Sequence, residues 1–140
     1  MQQENNQKAK FHFKKALKIL PQSEHEELFA SALNEIAIVY SVEGNYLEAE
    51  KHYKAALEIY KSLYGEKHEQ VALVTNMIGN VLARRFDFTE AIKWLQESLR
   101  IYRSLYGNNH ETVKDTLSKL IIARKWQQEK FKFIEYRKLS

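Results

Sequence analysis

The chain has no cysteine, one proline and four glycines among its 140 residues, and each shortage removes a class of protein. Without cysteine there is neither a disulfide framework nor a thiolate metal site, and nothing points to an oxidising compartment, so a cytoplasmic setting is expected. Too few turn formers are present for a sheet-rich chain, while Ala, Leu, Lys, Glu and Gln are plentiful, so the expectation is all-α. No stretch approaches the run of about 20 apolar residues that spans a bilayer, and the opening Met1-Gln-Gln-Glu-Asn-Asn-Gln lacks the apolar centre of an export signal. A strong charge imbalance is missing too: 22 Lys and Arg face 18 Asp and Glu, a net charge of +4. That balance permits an acidic partner and does not demand nucleic acid.

What is present is a repeat. The segment Asn45-Tyr-Leu-Glu-Ala-Glu-Lys-His-Tyr-Lys-Ala-Ala-Leu-Glu-Ile-Tyr-Lys-Ser-Leu-Tyr-Gly65 returns 42 residues later as Asp87-Phe-Thr-Glu-Ala-Ile-Lys-Trp-Leu-Gln-Glu-Ser-Leu-Arg-Ile-Tyr-Arg-Ser-Leu-Tyr-Gly107. Asn45 with Glu48 and Asp87 with Glu90 have the form of a capping box, and Gly65 and Gly107 suit a helix end, so helices are predicted over roughly 46–63 and 88–105. Ser23 with Glu26 and Asn108 with Glu111 announce two further helix starts. Partner helices carry apolar or small residues at helical spacing, Leu33, Ile36, Ala37 and Tyr40 in one, Thr75, Ile78, Gly79 and Leu82 in the next. The small residues Ala37, Ala49, Gly79 and Ala91 mark close helix approach. The stretch from Ala9 through Phe13 and Ala16 to Pro21 repeats the second-helix pattern, and 110–127 followed by 129–139 complete a count of seven antiparallel helices.

Leu33, Ile36, Ala37, Tyr40, Gly44, Tyr46, Ala49, Tyr53 and Ala56 together resemble the tetratricopeptide repeat (TPR), a helix hairpin of about 34 residues. The longer period here, with second helices ending in Leu-Tyr-Gly before a histidine, resembles the 42-residue repeats of kinesin light chains. The resemblance implies an α-α superhelix, a right-handed solenoid. An incomplete unit is expected over 1–22, full repeats over 23–65 and 66–107, and an incomplete or capping repeat over 108–140, where Arg124 replaces the usual buried residue. It also implies a scaffold or adaptor that holds a peptide of a protein partner against a concave wall of first helices. The stripe beside the core residues names that wall: Ser31, Asn34, Ile38 and Ser41, then Leu73, Asn76, Asn80, Ala83 and Arg84, then Lys119, Ile122 and Trp126. Asn34 and Asn76 fall at equivalent positions off the core stripe, and they resemble the asparagines that hold a ligand backbone in peptide-binding repeats. Arg84 and Lys119 suit an acidic ligand.

Other chemistry finds little support. His25, His68 and His110 recur one unit apart before each first helix, too far from each other to share a metal ion and best read as helix-start residues. His12 and His52 have no partner at i+4, and there is no phosphate loop, cysteine nucleophile or serine elbow, so neither an enzyme nor a cofactor or metal site is expected. The segment from Lys119 to Lys138 mixes cations with Trp126, Phe131, Phe133 and Tyr136. Its expected role is to cap the open end of the stack. The alternative is a self-associating module whose basic amphipathic helices contact nucleic acid or an acidic membrane. Exposed terminal repeats also allow a homo-oligomer.

Overall fold

A computed structural model describes residues 2–19 and 24–139. These residues form six helices: α1 Gln2–Ile19, α2 Glu26–Val42, α3 Tyr46–Tyr64, α4 Glu69–Arg84, α5 Phe88–Tyr106 and α6 Glu111–Leu139. Each packs on the next along the chain, and α4 also touches α6. The result is an all-α superhelix in which α2–α3 and α4–α5 are full hairpins flanked by α1 and α6. Among the described residues no helix is long and apolar enough to cross a membrane.

The core is the stripe that the spacing announced. Ile36, Ala37 and Ile78 are fully buried, and Leu33, Tyr40, Thr75 and Leu82 nearly so, packed against Tyr53, Leu57, Leu95 and Leu99 of the second helices. Gly79 sits where α4 and α5 approach most closely, since a Cβ there would lie 2.8 Å from Leu95 Cγ and 2.9 Å from its Cδ2. In the preceding unit Ala37 fills the same position, 42 residues earlier.

Helix ends follow local chemistry, with three departures from expectation. Asn45 accepts a hydrogen bond from the Glu48 N–H at 3.5 Å, as a capping box requires, whereas Asp87 makes no side-chain cap. Gly65 and Gly107 end their helices at φ 82° with ψ 175° and φ 80° with ψ 179°, a region essentially reserved to glycine. The Asn108–Glu111 box gives way to a cap by His110, whose Nδ1 accepts from the Thr112 N–H at 3.2 Å. His68 does the same for α4, accepting from the Gln70 N–H at 3.1 Å. Each of these imidazoles stacks on the tyrosine before the glycine, Tyr64 to His68 at 4.2 Å and Tyr106 to His110 at 4.3 Å. The Leu-Tyr-Gly…His pattern is therefore a joint between units. His25 precedes α2 without a side-chain cap, and the predicted start at Ser23 and the turn at Pro21 lie outside the described residues.

The third departure is the helix count. No break separates 110–127 from 129–139, because neither glycine nor proline interrupts residues 111–139 and Gln, Lys, Glu, Arg and Leu all favour continuation. Gln127 Nε2 donates to Thr89 Oγ1 at 3.0 Å and Lys130 Nζ to the Phe86 carbonyl at 2.9 Å, after which α6 runs on for roughly 13 Å beyond the stack. The aromatics expected to cap the stack, Phe131, Phe133 and Tyr136, are exposed on that overhang, and the Arg137 guanidinium lies over the Phe133 ring at 5.9 Å. Apolar and cationic residues also fall on every side of the overhang, so it has no basic amphipathic face of the kind the alternative reading needs.

Candidate peptide-binding groove

The first helix of each hairpin turns the same edge to one side. On that side lies a groove of about 640 Å³ walled by α2, α4 and α6, with Tyr53 and Leu95 of the second helices at its floor. Its wall repeats with the sequence period. Ile38, Asn80 and Ile122 stand 42 residues apart, as do Val42, Arg84 and Trp126, and all six line the groove. Each pair is one helical turn apart, so the wall consists of three rungs: apolar Ile38 with Val42, polar Asn80 with Arg84, apolar Ile122 with Trp126.

Among the described residues no carboxylate lines the groove. Burial, and after it the negative charge of Glu35, pushes the Tyr53 phenol up to about 12, so the floor carries a neutral hydroxyl. Two cations are present. Lys119 Nζ is engaged by Asn76 Oδ1 at 3.1 Å and Asp115 at 3.1 Å. Arg84 is exposed at the last turn of α4 and pairs with no carboxylate among the described residues. Phe86, in the α4–α5 turn, adds an exposed ring at the rim, held edge-on to Phe88 with centroids 6.1 Å apart. Its φ of 62° is the one positive value outside glycine among the described residues.

Beneath the middle rung lies a polar tie. Asn76 is 4% exposed; its Nδ2 donates to Thr116 Oγ1 at 3.2 Å, and its Oδ1 accepts from Asn80 Nδ2 at 3.2 Å as well as from Lys119. Thr116 Oγ1 in turn donates to the Thr112 carbonyl at 2.9 Å. The carboxamide joins α4 to α6, a network in which each member has a partner.

A tetratricopeptide repeat family model matches residues 28–104 and 70–132. The chain belongs to the tetratricopeptide repeat family. TPR units mediate contacts between proteins. The TPR stack is similar in structure to BtubC (BKLC) from P. vanneervenii, a kinesin light chain-like protein, with a TM-score of 0.79 and 24% identity over 89% of this chain. It spans 51% of that protein's length. A search of curated protein sequences gives no match.

Of the site residues expected from the TPR resemblance, Ile38, Ser41, Asn80, Arg84, Lys119 and Ile122 line the groove, and so do Ala83 and Trp126 of the wider stripe. Asn34 and Asn76 do not. Asn76 corrects the expectation directly: it is part of the packed interior rather than a residue off the core, because Thr116 and Lys119 arrive from the following unit and enclose it. Asn34 is half-buried, and its Oδ1 is enclosed without a partner. Sequence reasoning passed over Val42, Met77 and Phe86. The 42-residue spacing from Arg84 already pointed to Val42, and an aromatic residue in the polar turn where the previous unit has Gly44 was a signal for Phe86.

Proposed function

We propose that this chain is an adaptor that captures a peptide segment of a partner protein in the groove between α2, α4 and α6. The observation that carries the reading is the groove itself: a concave, largely apolar surface without acidic side chains, built from the repeating edge of the first helices. Apolar surface of that size left open to water gains by being covered, and a groove suits an extended or short helical segment. The rim polar groups Ser41, Asn80 and Arg84 then orient the ligand, and the apolar rungs supply most of the affinity. No catalytic role is assigned to any residue.

The test is to pan random peptides of about twelve residues against the full chain and then titrate the enriched clones against Val42→Arg and Ile122→Arg. Both positions are more than half exposed, Val42 at 62% and Ile122 at 54%, so folding is expected to survive. A loss of at least about 1.4 kcal/mol in binding, tenfold in Kd, with unchanged Tm supports the groove. Clones that bind both variants as well as the parent chain would refute it.

A further inference from the structure

In each full hairpin the second helix packs on one face of the first. Gly79 marks that face on α4, where a Cβ would lie 2.8 Å from Leu95 Cγ of α5. One period of 42 residues later, the same face of α6 carries Leu117, Ile121 and Arg124, the counterparts of Thr75, Gly79 and Leu82. Thr75 and Leu82 are buried, whereas Ile121 and Arg124 are exposed, since among the described residues no helix follows α6 to cover them. Residues 129–139, which stand where the period would start a second helix, instead carry α6 away from the stack. The open slot is shaped for a helix, and it lies on a different side of α6 from Ile122 and Trp126 of the groove.

The overhang extends this face. Ile121, Arg124, Gln128, Phe131, Glu135 and Lys138 recur at alternating steps of three and four, the spacing of a helix–helix seam. Its charges are unmatched within the chain. Arg124 has no carboxylate one turn away on α6, neither it nor Glu135 forms an ion pair among the described residues, and the two lie about 16 Å apart along the helix. A helix in the slot runs antiparallel to α6, as each second helix does to its first. When two such seams meet antiparallel about a centre between positions 128 and 131, Gln128 faces the partner's Phe131, Arg124 faces the partner's Glu135, and Ile121 lies under the apolar stem of the partner's Lys138. Each contact occurs twice. Parallel pairing would set Arg124 against the partner's Arg124 and Glu135 against the partner's Glu135. We propose that the open face of α6 is a homodimer interface, in which the antiparallel α6 of a second copy fills the slot of a second helix and Arg124 pairs with the partner's Glu135. Because α6 runs roughly 13 Å past the stack, each overhang reaches the other copy's slot while the two stacks stay at opposite ends of the pair.

Sedimentation velocity of the full chain from about 1 to 200 µM tests this, and the expected result is a rise from 16.6 kDa towards twice that mass. Arg124→Glu and Glu135→Arg each bring like charges together twice, so each should weaken dimerisation at least about tenfold, and the two combined should restore it to within about threefold of the parent chain. Both positions are exposed, so circular dichroism and Tm at the lowest concentration are expected to match the parent chain and serve as folding controls. A parent chain that stays monomeric throughout overturns the proposal and leaves the face to a helix of another protein. Single reversals without effect overturn it as well, and a double variant that dimerises no better than the single ones overturns the antiparallel pairing.

Discussion

Asn34 and Asn76 occupy the same place in consecutive repeats, 42 residues apart, yet they live in opposite surroundings. Asn76 has Asn80 one turn on and receives Thr116 and Lys119 from α6, and its carboxamide is satisfied on both sides. The positions equivalent to those partners in the earlier unit hold Ile38, Val74 and Met77, none of which hydrogen-bonds, and the Asn34 oxygen is left enclosed and unpaired. A repeated residue thus inherits its position from its own unit and its role from the next one. The same holds for the turn after each first helix. Gly44 and Phe86 make matching backbone hydrogen bonds, to the Ser41 and Ala83 carbonyls at 3.1 and 3.0 Å, with φ of 82° and 62°, but only the second carries a side chain into the groove rim.

The comparison is sharpened first where the units are alike. Ile36 and Ile78 are both fully buried at equivalent positions, so alanine at either is expected to cost about 2–5 kcal/mol by leaving a cavity. Denaturant unfolding of the two variants checks this, and costs that differ by more than about 2 kcal/mol would break the equivalence. The asparagines should then part company. Asn76→Ala is expected to cost about 1–3 kcal/mol, because Thr116 and Lys119 lose a buried partner, while Asn34→Ala stays within about 0.5 kcal/mol of the parent chain. Equal losses at both positions would sink the account of their surroundings. The smallest effect is at the turn: a bulky residue at positive φ costs about 1 kcal/mol, so Phe86→Gly should raise stability by up to that amount and Gly44→Phe should lower it. If Phe86→Gly also weakens binding of a panned peptide, the strained turn exchanges stability for a contact at the rim.

Much of the fold was legible in the sequence because its determinants are local and repeated. The stripe from Leu33 to Tyr40 acts within one hairpin, the glycines at 65 and 107 act at the end of their own helices, and the 42-residue period repeats both, so the structure keeps them where spacing alone put them. The burial of Asn76 was not legible, since its partners Thr116 and Lys119 are 40 and 43 residues away. The unbroken α6 was misread for the opposite reason. Aromatics mixed with cations suggested a cap that folds back, but folding back needs a break in the helix, and the sequence from Glu111 to Leu139 contains neither glycine nor proline. Of the expected outward stripe, Ile38, Asn80, Arg84 and Ile122 line the groove. Phe86 escaped because it lies in a turn, outside any helical periodicity.

The claim on which the rest depends is that the surface between α2, α4 and α6 is the binding site, and backbone amide chemical shifts recorded during titration with a panned peptide test it directly. Shift changes are expected to gather at Ile38, Val42, Asn80, Arg84, Ile122 and Trp126, the residues that line the groove at 42-residue intervals. Changes confined instead to Phe131, Phe133 and Tyr136 on the overhang of α6, with the groove residues unmoved, would contradict it.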